Sequence, residues 1–135
     1  MADSAGLAGV KVMVIDDSNT IRRSAEIFLV QAGCRVILAE DGFDALAKIA
    51  DHHPDVILVD IMMPRLDGYQ TCALIKKNAR FAATPVIMLS SRDGLFDRAR
   101  GRMVGSNQYL TKPFTKDSLL RAVSRHATRR IAVAG

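Results

Sequence analysis

The stretch Val56-Ile57-Leu58-Val59-Asp60 is a run of branched apolar residues closed by an acid. A strand with one wet face alternates apolar and polar residues, and this stretch does not. Val86-Ile87-Met88-Leu89 repeats the pattern and ends on Ser90. Such runs read as strands buried on both faces, which is the condition of a parallel sheet covered by helices. Upstream, Val10 to Ile15 and Cys34 to Ala39 read as two further strands, and Gln108 to Leu110 as a fifth. Between them lie amphipathic stretches. Ile21, Ala25, Phe28, Leu29 and Ala32 recur at helical spacing before Gly33, and Ala45, Leu46 and Ile49 mark a helix that must end before Pro54. Thr71, Leu74 and Ile75 mark a third helix after Asp67-Gly68, an Arg-rich polar helix runs to about Met103, and Leu119, Leu120, Val123 and Ala127 share one face of the last. Five strand-helix cycles make a doubly wound α/β fold.

In such sheets the chemistry collects beyond the carboxyl ends of the strands. Those ends carry Asp16 and Asp17, Asp60, Ser90 and Lys112. Three carboxylates brought within a few ångströms repel one another, and a divalent cation relieves that repulsion. The donors are all oxygen, with no imidazole or thiolate beside them, which suits Mg²⁺, with Mn²⁺ as a substitute, and argues against zinc. One cation, one lysine and one hydroxyl around three acids suit a phosphoryl group. A carboxylate is a competent nucleophile for it, and Lys112 and Ser90 would meet its oxygens.

Composition sets the bounds. The chain has 135 residues, 49% hydrophobic and 24% charged, one globular domain's worth. Residues 10–127 are expected to fold, with 1–9 a flexible segment and 128–135 a flexible basic tail. Cys34 and Cys72 lack metal or redox spacing and read as buried thiols. No apolar run is long enough for a membrane span and the N-terminus lacks an export pattern, so a cytoplasmic protein is expected. The net charge of +5 conceals two regions: 5 Lys/Arg against 10 Asp/Glu over residues 1–60, then 14 against 4 over residues 61–135. Nucleic-acid binding would draw on the basic half, yet no helix-turn-helix, zinc-finger or aromatic sheet motif accompanies it, and no direct nucleic-acid contact is expected. His52, His53 and His126 have no ligand spacing and are expected to be solvated. Arg121, Arg125 and Arg129 form a stripe that is either an ordinary solvated face or a surface for an acidic protein partner.

Asp16-Asp17, the segment Val59-Asp60-Ile61-Met62-Met63-Pro64 followed by Asp67-Gly68, Ser90, and Lys112-Pro113-Phe114 together resemble the receiver domains of two-component response regulators. The resemblance covers roughly residues 10 to 127. It implies a flavodoxin-like (βα)₅ sheet in strand order 2-1-3-4-5. It implies that Asp60 is the phosphoacceptor, that Asp17, Asp60 and the backbone carbonyl of Met62 hold Mg²⁺ with Asp16 helping mainly through water, and that Lys112 pairs with the phosphoryl group. The Lys112-Pro113 bond would be cis. Ser90 and Tyr109 match the family's switch pair, in which the hydroxyl moves toward the phosphate and the ring turns inward behind it. Met62 and Arg92 occupy positions that in the family influence the hydrolytic water. The chemistry implied is that of a regulator that phosphorylates and dephosphorylates itself, not of an enzyme with a separate substrate.

Several segments, Val12 to Ser18, Asp41 to Ile49, Arg65 to Lys76 and Ser90 to Asp97, resemble one branch of that family, the single-domain regulators of type IV pilus twitching motility. That resemblance implies a chemotaxis-type histidine kinase as donor, a protein partner in the pilus-control machinery as output, and a monomer. Two rivals fare worse. A phosphohydrolase with an aspartyl-phosphate intermediate would want an Asp-x-Asp nucleophile, whereas Asp60 is followed by Ile61 and Met62. A flavin-binding relative would want a Ser/Thr/Gly-rich loop after the first strand, where this chain has acids.

Overall fold

A computed structural model describes residues 6–91 and 95–134, with side chains described at 6–91 and 98–127. Five strands alternate with five helices: β1 (Lys11–Ile15), α1 (Asn19–Gln31), β2 (Arg35–Ala39), α2 (Gly42–His52), β3 (Val56–Asp60), α3 (Gly68–Lys77), β4 (Val86–Ser90), α4 (Leu95–Met103), β5 (Gln108–Thr111) and α5 (Lys116–Ala134). All strand pairs are parallel, in the order β2-β1-β3-β4-β5. The doubly wound sheet expected from the apolar runs is therefore observed.

β3 and β4 are buried along their whole length, with Asp60 and Ser90 as the last residue of each. Because side chains alternate across a sheet, each strand feeds two cores. Val12, Val14, Leu58, Ile87 and Leu89 pack with Ala25 and Leu29 of α1 and Leu119 and Val123 of α5. Met13, Ile15, Ile57, Val59 and Met88 pack on the opposite face with Ala45 and Ile49 of α2 and Cys72 and Ile75 of α3.

The helices start where their sequence provides caps. Ser18, Asp41 and Asp67 each accept a backbone N–H of the first turn, and Asp67 forms a reciprocal capping box with Gln70. α2 stops one residue before Pro54, at His53, whose φ of 48° is left-handed.

Some expectations need revision. His126 is not solvated: it is 3% exposed, and its Nε2 lies 2.8 Å from Gln108 Oε1, joining α5 to β5. Its ring continues the buried face that Leu119 and Val123 begin. His52 and His53 are exposed as expected. Leu74 points partly outward, at 43% exposure, because Thr71, Cys72 and Ile75 already fill the inner face of α3. Leu7, expected in a flexible segment, is fully buried in the first core, and Gly9 N–H donates to Gly33 O at 2.9 Å. α5 continues past residue 127 to Ala134. The side chain of Arg129, and Arg92, Asp93 and Gly94, lie outside the described residues. Cys34 and Cys72 are buried free thiols, and burial pushes each thiol's pKa up to about 11.

Candidate functional site

The carboxyl ends of β1, β3, β4 and β5 converge on one edge of the sheet. Asp16 follows β1 and is fully buried, its N–H donating to Ala39 O at 3.2 Å and one carboxylate oxygen accepting from Ser18 N–H at 2.9 Å. Arg22 Nη1 donates to the Asp16 carbonyl at 2.5 Å, so the first turn of α1 fixes this backbone as well. Asp17 is exposed beside it. Asp60 ends β3 at 3% exposure. Oxygens of Asp16, Asp17 and Asp60 all lie within 4.8 Å of one another.

Lys112 reaches into this cluster from the end of β5. Its Nζ donates to Asp60 Oδ1 at 3.0 Å and to Asp16 Oδ2 at 3.2 Å, and the Lys112-Pro113 peptide is cis. Burial raises the Asp60 carboxyl to a pKa of about 6, and repulsion from Asp16 adds to it, against the opposing pull of Lys112 and of the Met62 N–H. For Lys112, burial alone would lower the pKa, but Asp60 and Asp16 outweigh it and hold the ammonium above its ordinary value. The site is therefore a charged lysine facing a carboxyl whose ionisation is hindered.

Ser90 ends β4 at 3% exposure, one residue beyond the Asp60–Leu89 register pair, and its carbonyl accepts from Lys112 N–H at 2.6 Å. Met62 approaches through its N–H, while its side chain is 67% exposed. Tyr109 lies further along, half-buried on β5. Its hydroxyl is buried without a hydrogen-bond partner among the described residues, and Arg98 Cζ sits 5.5 Å from its ring centre.

Two residues have roles in the site that the sequence pattern does not disclose, although Gly68 belongs to the receiver-like motif. Arg22 reads as one more helix residue, and only the helix's placement shows that it braces Asp16. Gly68 reads as part of a turn. Its N–H donates to Ile61 O at 2.9 Å, and a Cβ there would stand 2.4 Å from the Asp60 carbonyl oxygen. Residue 68 must lack a side chain for α3 to begin this close to Asp60.

An all-oxygen donor set of this charge suits Mg²⁺. Among the described residues, no helix is long and apolar enough to cross a membrane. Residues 12–124 match the response regulator receiver domain. The chain is 73% identical over 118 residues to Protein PilG of Pseudomonas aeruginosa, covering 87% of each. It is similar to the Vibrio cholerae chemotaxis protein CheY4, with a TM-score of 0.85 and 34% identity over 88% of this chain and 99% of that one. It also resembles the receiver domain of the P. aeruginosa sensor histidine kinase PA1611, a structure with a magnesium ion coordinated in its active site cleft, with a TM-score of 0.82 and 30% identity over 90% and 99% of the two chains. With its fold, its acidic edge and its sequence in agreement, the chain belongs to the response regulator receiver domain family.

Proposed function

We propose that Asp60 is the residue that accepts a phosphoryl group, delivered by a chemotaxis-type histidine kinase. The observation that carries this reading is the Lys112 ammonium held 3.0 Å from Asp60 and 3.2 Å from Asp16, with Asp17 completing the acidic cluster. An Asp60 oxygen attacks phosphorus as the bond to the donor's imidazole nitrogen breaks, leaving an aspartyl phosphate and a free imidazole. Mg²⁺, or Mn²⁺ in its place, would be held by Asp16, Asp17, Asp60 and the Met62 carbonyl, and when bound supplies charge neutralisation for the transferring oxygens. Lys112 meets one phosphoryl oxygen and Ser90 another. The same group serves self-phosphorylation from small donors and self-dephosphorylation by water.

The output follows from Ser90 and Tyr109. As the Ser90 hydroxyl is drawn toward the phosphoryl group, the Tyr109 ring turns into the space behind it. A buried hydroxyl without a partner among the described residues leaves the present ring position poorly satisfied, which supports a residue built to move. Likeness to Protein PilG supports control of type IV pilus twitching motility. Output through a protein partner in the cytoplasm, with this chain acting as a monomer, completes the proposal. The exposed Arg98, Arg102, Arg121 and Arg125 suit an acidic partner and carry no base-reading motif.

Mixing the chain with an autophosphorylated chemotaxis-type kinase and Mg²⁺ tests the relay. Label should pass to the wild type within seconds and not to Asp60→Asn. Transfer to both proteins, or to neither, would contradict it.

A further inference from the structure

Over its described side chains, residues 98–103, α4 has little apolar burial to hold it. Over residues 98–103 only Gly101 is buried, Arg98, Arg100 and Arg102 are exposed, and Met103 is 86% exposed. Two cations compensate. Arg98 Cζ lies 5.5 Å from the centre of the Tyr109 ring on β5, and Arg100 Cζ lies 4.4 Å from the centre of the Tyr69 ring on α3. Residues two apart on a helix point roughly 200° apart around its axis, so the two arginines straddle α4 and fasten opposite flanks. Gly101 sits between them with a near approach to Ser106, where an added Cβ would stand 2.9 Å from Oγ.

The two tyrosines are not equivalent. Tyr109 is half-buried, with a hydroxyl that has no hydrogen-bond partner among the described residues, whereas Tyr69 is only 4% exposed. Tyr69 also follows Gly68, whose N–H is bonded to Ile61 O and whose Cα faces the Asp60 carbonyl. The ring under Arg100 is therefore fixed to the backbone that leaves the phosphoacceptor.

We infer that Arg100 is a positioning residue: its contact with Tyr69 clamps α4 in the resting arrangement and sets how much binding energy the phosphoryl site must supply to move that helix. The inference rests on the phosphoacceptor reading of Asp60. A contact made only in the resting state opposes any ligand that favours the other state, and removing it raises that ligand's affinity by the same factor. For a partly exposed cation over a ring, this factor is about threefold to tenfold. Arg100 is exposed, so its replacement leaves the core intact.

The test compares wild type, Arg100→Ala, Arg100→Lys and Asp60→Asn by titration with beryllofluoride in saturating Mg²⁺, followed through amide resonances of α4 and of the Asp60 loop. Arg100→Ala should bind beryllofluoride about threefold to tenfold more tightly than wild type, with faster amide exchange in α4 and unchanged exchange in α1. Arg100→Lys, which keeps the cation, should return most of the way to wild type. A merely structural role would weaken binding or leave it unmoved. Equal or weaker binding by Arg100→Ala, with wild type binding normally, would overturn the clamp alone. Failure of wild type to bind, or binding by Asp60→Asn equal to wild type, would overturn the phosphoacceptor reading and the clamp with it.

Discussion

At the scale of the residue, Asp60 is costly to keep charged. Its carboxyl has a pKa raised from 3.8 to about 6, chiefly by burial, so the folded state holds a proton that the unfolded state has already released between those values. Stability associated with the neutral form is fully present below about pH 4 and is lost as pH rises through about 6. In the absence of metal, Asp60→Asn should therefore be more stable than wild type at about pH 7.5 by about 1–3 kcal/mol, because a tenfold change in proton affinity corresponds to roughly 1.4 kcal/mol. Urea denaturation at two pH values checks this, with the difference expected to vanish near pH 4. A less stable mutant at the higher pH would mean that the ion pair with Lys112 outweighs burial. Met62 gives a second prediction. Its exposed thioether accepts hydrogen bonds only weakly, so a hydrolytic water beside it would be poorly oriented. Met62→Asn should shorten the lifetime of the phosphorylated protein several-fold. Phosphate release timed after donor removal measures it, and slower release from the mutant would count against that role.

At the scale of the element, the start of α3 is the tightest joint in the site. Asp67 and Gln70 close a capping box, and Gly68 brings the helix against Asp60 and Ile61 with no room for a Cβ. Gly68→Ala puts a methyl against backbone rather than against a side chain that could turn away. It should cost roughly 1–3 kcal/mol, in the range of an overpacked core. It should also shift the Asp60 and Ile61 amide resonances more than those of α5. A mutant with wild-type stability would show that α3 slides easily, and would remove the rigid link between Asp60 and Tyr69. The β elements were legible from sequence because Val56 to Val59 and Val86 to Leu89 announce two-sided burial locally, without reference to anything distant. Leu74 shows the limit of helical spacing. It falls within the apolar stripe of α3, but Thr71, Cys72 and Ile75 take the inner positions and leave it half in water.

At the scale of the whole molecule, the site exists because four strand ends share an edge. That edge was readable from the chain alone, since parallel topology fixes which end of each apolar run carries the chemistry, and Asp16, Asp17, Asp60, Ser90 and Lys112 are those residues. Contacts between elements left no such trace. His126 looks like a surface residue until α5 is laid on β5 and Gln108 meets its ring. Arg22 bracing Asp16, and the two arginines over Tyr69 and Tyr109, depend on where whole helices come to rest. The lopsided charge acquires a place as well: the acids Asp16, Asp17 and Asp60 of the first half gather at the sheet edge, and exposed arginines of the second half line α4 and α5. The acidic edge and the basic helix faces thus differ in sign, which suits distinct partners for each. The proposed relay depends on Asp60 being the acceptor. Intact mass measurement of wild type and Asp60→Asn, after incubation with Mg²⁺ and a small phosphodonor, addresses that directly. A single phosphoryl adduct, removed by hydroxylamine, is expected on the wild type and none on the mutant; no adduct on the wild type, or an equal one on both, would rule out Asp60 as the acceptor.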